Sequence, residues 1–277
     1  MRTPLLCFRR PRRDLKYGVR LLSHAGKKLV EEVKAAPSDT GNRTLLFQVL
    51  SFCAEWDKAE RQIDLIAIQD PKAETGVQVY KNLIHAEKER KEVLNRNRYP
   101  EFLTGTPPYL DLYFAAWDTL NAKEIEKAQE LYEQINKQRP LISGTVDGKT
   151  FSGFRDMDTF LSLFVEAFVH DRYVWFPFEA LRELSITPPQ TLFDVLWTTA
   201  RITTWEGLTL NCYLPVLYPD TFLNDDDLVK LGRITDWIPL GGEFYQGVGQ
   251  HMYQAGDEEV AILEIRDAIF TIPTQEK

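Results

Sequence analysis

The sequence predicts an α+β protein: tetratricopeptide-like helical hairpins followed by a small, mainly antiparallel β domain, barrel-like and with short helices. Two observations predict this class. As far as Pro140, apolar residues recur at the three- and four-residue spacing of amphipathic helices. After Pro140, short aromatic and β-branched runs alternate with turn residues, as they do in antiparallel sheets. We therefore expect a basic disordered extension at residues 1–13, a helical domain at 14–140 and a β domain at 141–277.

The composition limits the classes of function. The 277 residues are 44% hydrophobic and 27% charged, as is usual for globular proteins, and no apolar run approaches the roughly 18 residues of a membrane span. The net charge of −8 argues against a general nucleic-acid binder, which would be basic. Three cysteines without a CxxC spacing indicate neither a disulfide framework nor a zinc site, so we expect a cytoplasmic protein.

The first thirteen residues carry five arginines and no acidic residue. Their apolar part, Leu5–Phe8, is shorter than the core of a secretory signal, and no hydrophobic run follows Arg9-Arg10 as it would in a twin-arginine signal. We interpret the segment as a disordered extension or as the product of a start codon placed too early. The alternative is an anchor for an anionic surface.

A helical hairpin is predicted at Asn42–Pro71. Apolar residues fall at helical spacing on both sides of a tight corner at Ala54–Trp56. Small Ala59 lets the two helices approach closely. Asp70-Pro71 ends the second helix, because proline cannot donate the next hydrogen bond of the helical ladder.

The spacing of alanine and proline predicts a repeat of this hairpin. Alanine precedes proline by twelve residues at Ala25–Pro37, Ala59–Pro71 and Ala128–Pro140. The alanines lie 34 and 69 residues apart, close to one and two periods of the 34-residue tetratricopeptide unit. Val77–Asn95 interrupts the pattern because it has the character of one long helix, so an ordinary helical bundle is the alternative. The charge run Glu87–Arg98 is typical of a solvated helix face.

Turn residues predict the hairpins of the β domain. Asp147-Gly148, His170-Asp171 and Glu206-Gly207 each separate two short runs rich in aromatic and β-branched residues. The last two strands are expected at Gln250–Gln254 and Val260–Arg266, on either side of another glycine turn. Together these strands form a small antiparallel sheet or barrel.

Two other stretches have local explanations. Asp225–Asp227 is expected to cap a short helix that reaches about Leu231, because acidic side chains complement the dipole at the start of a helix. Gly247-Val248-Gly249 lacks the third glycine and the strand-then-helix context of a phosphate loop. A bulge or a tight bend is the simpler explanation of these glycines.

Carboxylates and histidines are the best candidates for an enzyme. Asp156, Asp158 and Glu166, with His170 and His251, could hold a metal or transfer protons. No two of the four histidines have the spacing that places two ligands on one helix face, and the aspartates are better suited to cap turns. We predict no catalytic residue, no cofactor and no metal. The alternative is a metal-dependent or hydrolytic enzyme that uses the three carboxylates.

Binding is better supported than catalysis. Two groups of helical residues face a concave groove if the repeat phase holds: Thr44, Gln48 and Ser51 in one unit, and Tyr113, Trp117 and Leu120 in the last unit. The second group forms a stripe that suits the apolar face of an amphipathic partner helix, and Trp and Tyr are common binding hot spots. The alternative is that Tyr113 and Trp117 pack against the second domain.

A series of motifs follows in one order along the chain. The helical half contains Pro37-x-Asp39, Trp56-x-x-Ala59-x-x-Gln62 and Glu87-x-x-Arg90; the β half contains Gly144-x-x-Asp147-Gly148-x-x-Phe151, Asp156-x-Asp158, Arg172-Tyr173-x-Trp175-x-Pro177-Phe178, Leu192-x-Asp194-x-x-Trp197-x-x-Ala200, Tyr218-Pro219 and Gly247-x-Gly249-Gln250. The series resembles the ImpE/SciE family, also called TagJ, an accessory component of bacterial type VI secretion. The resemblance extends from about residue 20 to Phe270.

The resemblance implies a non-enzymatic adaptor. Relatives bind the N-terminal amphipathic helix of the small sheath subunit, TssB, and are associated with sheath handling by the unfoldase ClpV. A TssB-like subunit is thus the implied partner and ClpV an indirect one, while the composition speaks against nucleic acid and a membrane span. The chain departs from the family pattern at Phe160, Ser162 and Leu163, where an arginine and then Gly-Pro are usual, so no such arginine can pair with Asp158.

Overall fold

The computed structural model describes residues 21–271. Six α-helices come first: α1 (Leu21–Ala35), α2 (Thr40–Phe52), α3 (Trp56–Gln69), α4 (Glu74–Leu94), α5 (Leu110–Asn121) and α6 (Ile125–Gln138). The predicted extension at 1–13 and the first residues of the predicted helical domain lie outside the described residues. Among the described helices, none is both long and apolar enough to cross a membrane.

The two predicted helical hairpins, α2–α3 and α5–α6, are present. α2 begins after Asp39, whose carboxylate accepts hydrogen bonds from the N–H groups of Gly41 and Asn42 at 2.8 and 3.2 Å. Ala59 in α3 and Ala128 in α6 are fully buried, as close packing of paired helices requires. α4 is a single helix of 21 residues. The long helix predicted in this part of the chain is therefore confirmed.

Thirteen strands follow within the described residues: β1 (Ser143–Val146), β2 (Lys149–Ser152), β3 (Phe154–Asp156), β4 (Phe164–Val169), β5 (Arg172–Pro177), β6 (Leu181–Ile186), β7 (Trp197–Thr204), β8 (Thr209–Pro215), β9 (Asp236–Gly241), β10 (Phe244–Val248), β11 (Met252–Ala255), β12 (Glu258–Ala261) and β13 (Asp267–Thr271). A short helix, α7 (Asp227–Lys230), lies between β8 and β9, and the carboxylate of Asp226 caps its first turn at 2.8 Å from the N–H of Leu228. The helix predicted here is confirmed.

Eight strands form one antiparallel sheet in the order β2-β1-β13-β6-β7-β8-β4-β5. Two smaller antiparallel sheets, β12-β11-β3 and β10-β9, complete the β part. The predicted α+β class is confirmed. The division into domains at Pro140 stays a prediction, and one buried apolar core runs from Leu22 in α1 to Phe270 in β13.

The predicted turns close three hairpins of the large sheet. Asp147 and Gly148, with φ angles of 49° and 82°, join β1 to β2. His170, at φ 58°, joins β4 to β5, and Gly207, at φ 88°, joins β7 to β8. Positive φ angles suit these turns because they match the right-handed twist of the strands they connect.

One predicted strand, Val260–Arg266, is wrong. β12 ends at Ala261, and the N–H of Glu264 donates to the carbonyl of Ala261 at 2.9 Å, which closes a turn. The next strand is β13. The sequence pattern does not predict this strand, nor does it predict β3, β6, β9 and β10. β3 has only three residues, and β9 contains Pro239, a residue that argues against a strand.

α4 and α5 pack against β4 and β5. β4 is buried along all six residues, as expected for a strand covered on both faces. The N–H of Tyr173 in β5 donates to Glu89 of α4 at 3.0 Å. The ring centroids of Trp117 in α5 and Trp175 in β5 lie 5.9 Å apart. The candidate site lies at this junction of helices and strands.

Candidate functional site

A cavity of about 260 Å³ opens between the helices and the β strands. Residues from five parts of the chain form most of its wall: Ser51–Trp56 at the α2–α3 corner, Glu87–Asn95 along α4 and its C-terminal end, Trp117–Asn121 in α5, the Asp158–Leu161 turn, and Leu217–Phe222 after β8. Leu196 and Gln246 complete the wall. A concave junction built by segments far apart in sequence is a common setting for a binding site.

Two aspartates shape the turn that lines the cavity. Asp156 Oδ1 accepts a hydrogen bond from the N–H of Asp158 at 2.8 Å. Asp158 Oδ1 accepts from the N–H groups of Phe160 and Leu161 at 2.7 and 3.1 Å, and its Oδ2 accepts from Gly247 at 2.7 Å. The prediction that these aspartates cap turns is therefore confirmed.

Tyr218 lines the cavity, and two glycines approach it or its neighbouring backbone closely. The Tyr218 hydroxyl donates to Asp156 Oδ1 at 2.7 Å. A Cβ on Gly247 would lie 2.3 Å from the Tyr218 ring, and a Cβ on Gly249, at φ 104°, would lie 2.3 Å from the carbonyl oxygen of Ile234. These glycines allow close approaches that a side chain would block. Gly247 lies within β10, and the bulge or tight bend predicted for the two glycines stays a prediction.

A buried ion pair joins α4 to the sheet behind the cavity. The Arg90 guanidinium contacts both carboxylate oxygens of Glu166 in β4, Nε to Oε1 at 2.9 Å and Nη2 to Oε2 at 2.6 Å. Nη2 also donates to the carbonyl of Leu217 at 3.0 Å, and the Tyr173 hydroxyl donates to Glu166. Burial alone would raise the pKa of Glu166, but Arg90 and His251 outweigh it and lower this pKa to about 2.

His251 links the Arg90–Glu166 pair to Asp156. Its Nδ1 lies 2.7 Å from Asp156 Oδ2, and its Nε2 makes an ionic contact with Glu166 Oε2 at 3.2 Å, without the alignment of a hydrogen bond. Burial would lower the pKa of His251, but the charges of Asp156 and Glu166 raise it to about 9, so the imidazole is protonated at neutral pH. We call Arg90, Glu166, His251, Asp156 and Tyr218 the ion network.

Two carboxyl groups of the cavity wall have raised pKa values. Burial, and then the charge of Asp156, raise the pKa of Asp158 to about 7. Burial also raises the pKa of Glu87, although Arg90 and Trp197 oppose the shift. Glu87 Oε1 accepts a hydrogen bond from Trp197 Nε1 at 2.9 Å, and its Oε2 lies 3.5 Å from Arg90 Nη1. A cation in the cavity would favour the ionised form of both carboxyl groups.

The structure unites three of the residues named for an enzyme. Asp156, Glu166 and His251 are in direct contact, and Asp158 follows Asp156 in the same turn, whereas His170 is exposed in the β4–β5 turn. The three contacting side chains are at most 3% exposed, and their charged atoms face one another. Within residues 21–271, no three His, Cys, Asp or Glu side chains are arranged to hold a metal ion. This geometry favours a structural role for the three residues.

Most of the residues predicted to bind a partner helix are buried. Ser51 and Trp117 belong to the cavity wall, but each is only 2% exposed. Thr44 and Gln48 lie earlier in α2, and the Thr44 hydroxyl donates to the carbonyl of Thr40 at 2.8 Å. Binding by these side chains stays a prediction.

Tyr113 and Leu120 do not reach the solvent, with 0% and 1% of their surface exposed. The Tyr113 ring lies 5.1 Å from that of Phe164 in β4, and its hydroxyl donates to the carbonyl of Thr159 at 3.3 Å. The alternative of packing against the β part therefore describes Tyr113, and it also describes Trp117, which is 2% exposed and packs on Phe160 and Trp175. Helical spacing locates an apolar stripe but does not show what covers it.

The interpretation of Glu87–Arg98 as a solvated face is wrong at its start. Arg90 is 5% exposed and pairs with Glu166, while Glu87 contacts Trp197 of β7. The run lies on a helix whose two faces have different surroundings, and charge spacing alone does not distinguish them. Glu87-x-x-Arg90 among the motifs of the family resemblance is the signal that could have indicated the buried pair.

Comparisons with known proteins agree with the fold and with the resemblance. The family model described as "ImpE protein" matches residues 148–269. The type VI secretion system accessory component TagJ of Pseudomonas aeruginosa is 31% identical over 249 residues, which cover 90% of this chain and 87% of that protein. The crystal structure of protein VPA1032 from Vibrio parahaemolyticus has the same fold, with a TM-score of 0.80 at 22% identity over 90% of this chain and 94% of that one. The chain therefore belongs to the ImpE family, in which the Pseudomonas aeruginosa relative is named a type VI secretion system accessory component.

Proposed function

We propose that the protein is a non-enzymatic accessory of type VI secretion that binds the N-terminal amphipathic helix of a TssB-like small sheath subunit. By holding this helix it modulates how ClpV handles the sheath. The cavity carries the proposal, because Ser51 and Trp117, two of the residues predicted to bind, belong to the wall of one cavity.

Family membership and burial both support a binding role. The Pseudomonas aeruginosa relative is named an accessory component of the secretion system. Asp156, Glu166 and His251, the strongest candidates for catalysis, are buried and paired with one another. A catalytic group must come within hydrogen-bond reach of its substrate, and this arrangement favours structure over reaction.

The wall of the cavity suits one face of an amphipathic helix. The half-buried rings of Trp56 and Phe222 supply aromatic surface of the kind that dominates binding energy. The amides of Asn95 and Asn121 are exposed at the rim, and that of Gln246 is half-buried. An apolar centre with a polar rim buries the apolar stripe of the helix, while hydrogen bonds at the rim set its register.

Calorimetric titration with a peptide that spans the N-terminal helix of the cognate small sheath subunit tests the proposal. We expect saturable one-to-one binding. Asn121→Trp places a bulky side chain at the rim and should weaken binding about tenfold or more, equivalent to about 1.4 kcal/mol. Asn136→Trp, exposed on α6 and outside the wall, is the matched control and should bind like the wild type.

Two results would overturn the proposal. One is the absence of peptide binding up to high micromolar concentration in the folded wild-type protein. The other is equal affinity of the wild type and Asn121→Trp, which would place the peptide elsewhere on the surface.

A further inference from the structure

The cavity is large enough to take a side chain of a partner. It measures about 260 Å³, and a cavity of about 150 Å³ already holds a benzene molecule. A helix that packs on the opening can therefore insert one long side chain into it.

Aromatic rings form much of the wall that this side chain would meet. They belong to Trp56, Trp117, Phe160, Tyr218 and Phe222. The rings of Trp117 and Phe160 meet edge to face, with centroids 4.9 Å apart, and Trp56 and Phe222 are only half-buried. The face of an aromatic ring attracts cations as well as apolar groups.

Acidic residues outnumber basic residues on the wall of the cavity. Its charged residues are Glu87, Asp158 and Asp220 on the acidic side and Arg90 and Lys91 on the basic side. Arg90 is shared between two carboxyl groups, because its guanidinium contacts both oxygens of Glu166 at 2.9 and 2.6 Å and its Nη1 lies 3.5 Å from Glu87. The carboxyl groups of the lining, together with Glu166, therefore outnumber the basic groups Arg90 and Lys91.

We propose that the cavity recognises a basic side chain of the partner helix, and an arginine in particular. The identity of the partner rests on the proposed function, whereas the chemistry of the cavity rests on its own wall. An arginine buries its methylene stem against the rings, stacks its guanidinium on them and donates two parallel hydrogen bonds to a carboxylate. Glu87 inside the cavity and Asp220 at its rim supply the carboxylates.

A small probe tests the chemistry without the sheath subunit. The full chain is titrated with N-acetyl-arginine amide and, separately, with N-acetyl-norleucine amide, while the indole N–H signals of Trp56 and Trp117 are followed by NMR. We expect the arginine probe to shift both signals and the norleucine probe to leave them in place. Equal shifts with norleucine would mean an apolar anchor and overturn the proposal, as would the absence of any shift with arginine.

Asp220→Asn removes one rim charge with little change of backbone. Asp220 has a φ of 59°, a left-handed conformation that asparagine also adopts readily. We expect the arginine probe to bind about threefold more weakly, the scale of one partly exposed charge pair. Asp225→Asn removes an exposed charge of the same segment outside the wall and is the matched control. Equal affinities of the two variants for the arginine probe would contradict the assignment of Asp220.

The sheath peptide separates this inference from the proposed function. We expect citrulline in place of one arginine of the peptide to weaken binding, because citrulline keeps the shape and loses the charge. If the peptide binds equally well with every arginine replaced, the cavity chemistry is wrong and the proposed function stands. If the arginine probe binds and the peptide does not, the proposed function is wrong and the cavity chemistry stands.

Discussion

The ion network and the cavity share a wall and use their polar groups differently. In the network, Arg90, Glu166 and His251 are at most 5% exposed, and each charge faces an opposite charge. In the cavity, Lys91 and Asn95 are exposed, and carboxyl groups outnumber the cations available to them. Arg90 of α4 and Tyr218 belong to both regions.

This difference indicates that the ion network stabilises the fold, whereas the cavity is suited to binding. A buried charge is stable only when a partner replaces its lost hydration, so a closed network of partners fixes how α4 sits on the sheet. A charge that faces an opening can be satisfied by a molecule that enters. Changes in the network should therefore alter stability first, and changes in the cavity should alter affinity first.

The largest effect is expected from breaking the network. Glu166→Gln leaves the Arg90 guanidinium buried without its counter-charge, and we expect the free energy of unfolding to fall by about 3–5 kcal/mol. Denaturant titration followed by circular dichroism measures the loss. Glu101→Gln is the control, because it removes an exposed partner of Arg172 and should cost less than about 1 kcal/mol. Similar losses in both variants would remove the distinction between the buried pair and a surface pair.

A smaller loss of stability is expected when His251 loses its proton at high pH. Its pKa is about 9 in the folded protein against an ordinary value of 6.5, so the folded state holds this proton more tightly than the unfolded chain. The stabilisation is complete below about pH 6.5 and is lost as pH rises through 9. We expect the free energy of unfolding to fall by about 1–3 kcal/mol between about pH 7 and pH 9.

Denaturant titrations across this pH range measure the loss, and His251→Gln supplies the comparison. The variant has no proton to release here, so its stability should change far less over the same range. A variant that loses as much stability as the wild type would assign the pH dependence to another group.

No effect is expected from removing metal ions. The described residues 21–271 contain no arrangement of His, Cys, Asp and Glu that could hold a metal, so EDTA should change the melting temperature by less than about 1 °C. Thermal unfolding with and without the chelator, together with metal analysis of the purified protein, provides the measurement. Stoichiometric metal whose removal lowers the melting temperature by several degrees would favour the alternative enzyme that uses Asp156, Asp158 and Glu166.

Local signals in the sequence predicted much of the fold. The turns at Asp147-Gly148 and His170-Asp171 place Asp147, Gly148 and His170 at positive φ angles, which these residues tolerate, and both hairpins form as predicted. Ala59 and Ala128 mark the close contacts of the helical hairpins, and both are fully buried. The caps supplied by the aspartates of the 156–158 turn are equally local. Each of these features depends on residues that are near neighbours in the chain.

The candidate site was predicted less well, because its residues come from distant parts of the chain. Of the predicted binding residues, Ser51 and Trp117 belong to the cavity wall and Tyr113 and Leu120 do not, but all four are at most 2% exposed. Phe160 and the Leu217–Phe222 segment were absent from the prediction. Their place in the wall depends on how the helices dock on the sheet.

By itself, the sequence determined the secondary structure of most segments, the α+β class and the resemblance to the ImpE family. The tertiary structure alone decided which charges of α4 are buried, which face of α5 meets the sheet and where a cavity remains. The physical reason is the separation along the chain of the residues that interact. Turns, caps and helical periods act through residues a few positions apart, whereas Arg90 and Glu166 pair across 76 positions of the chain, and only the packed fold brings them together.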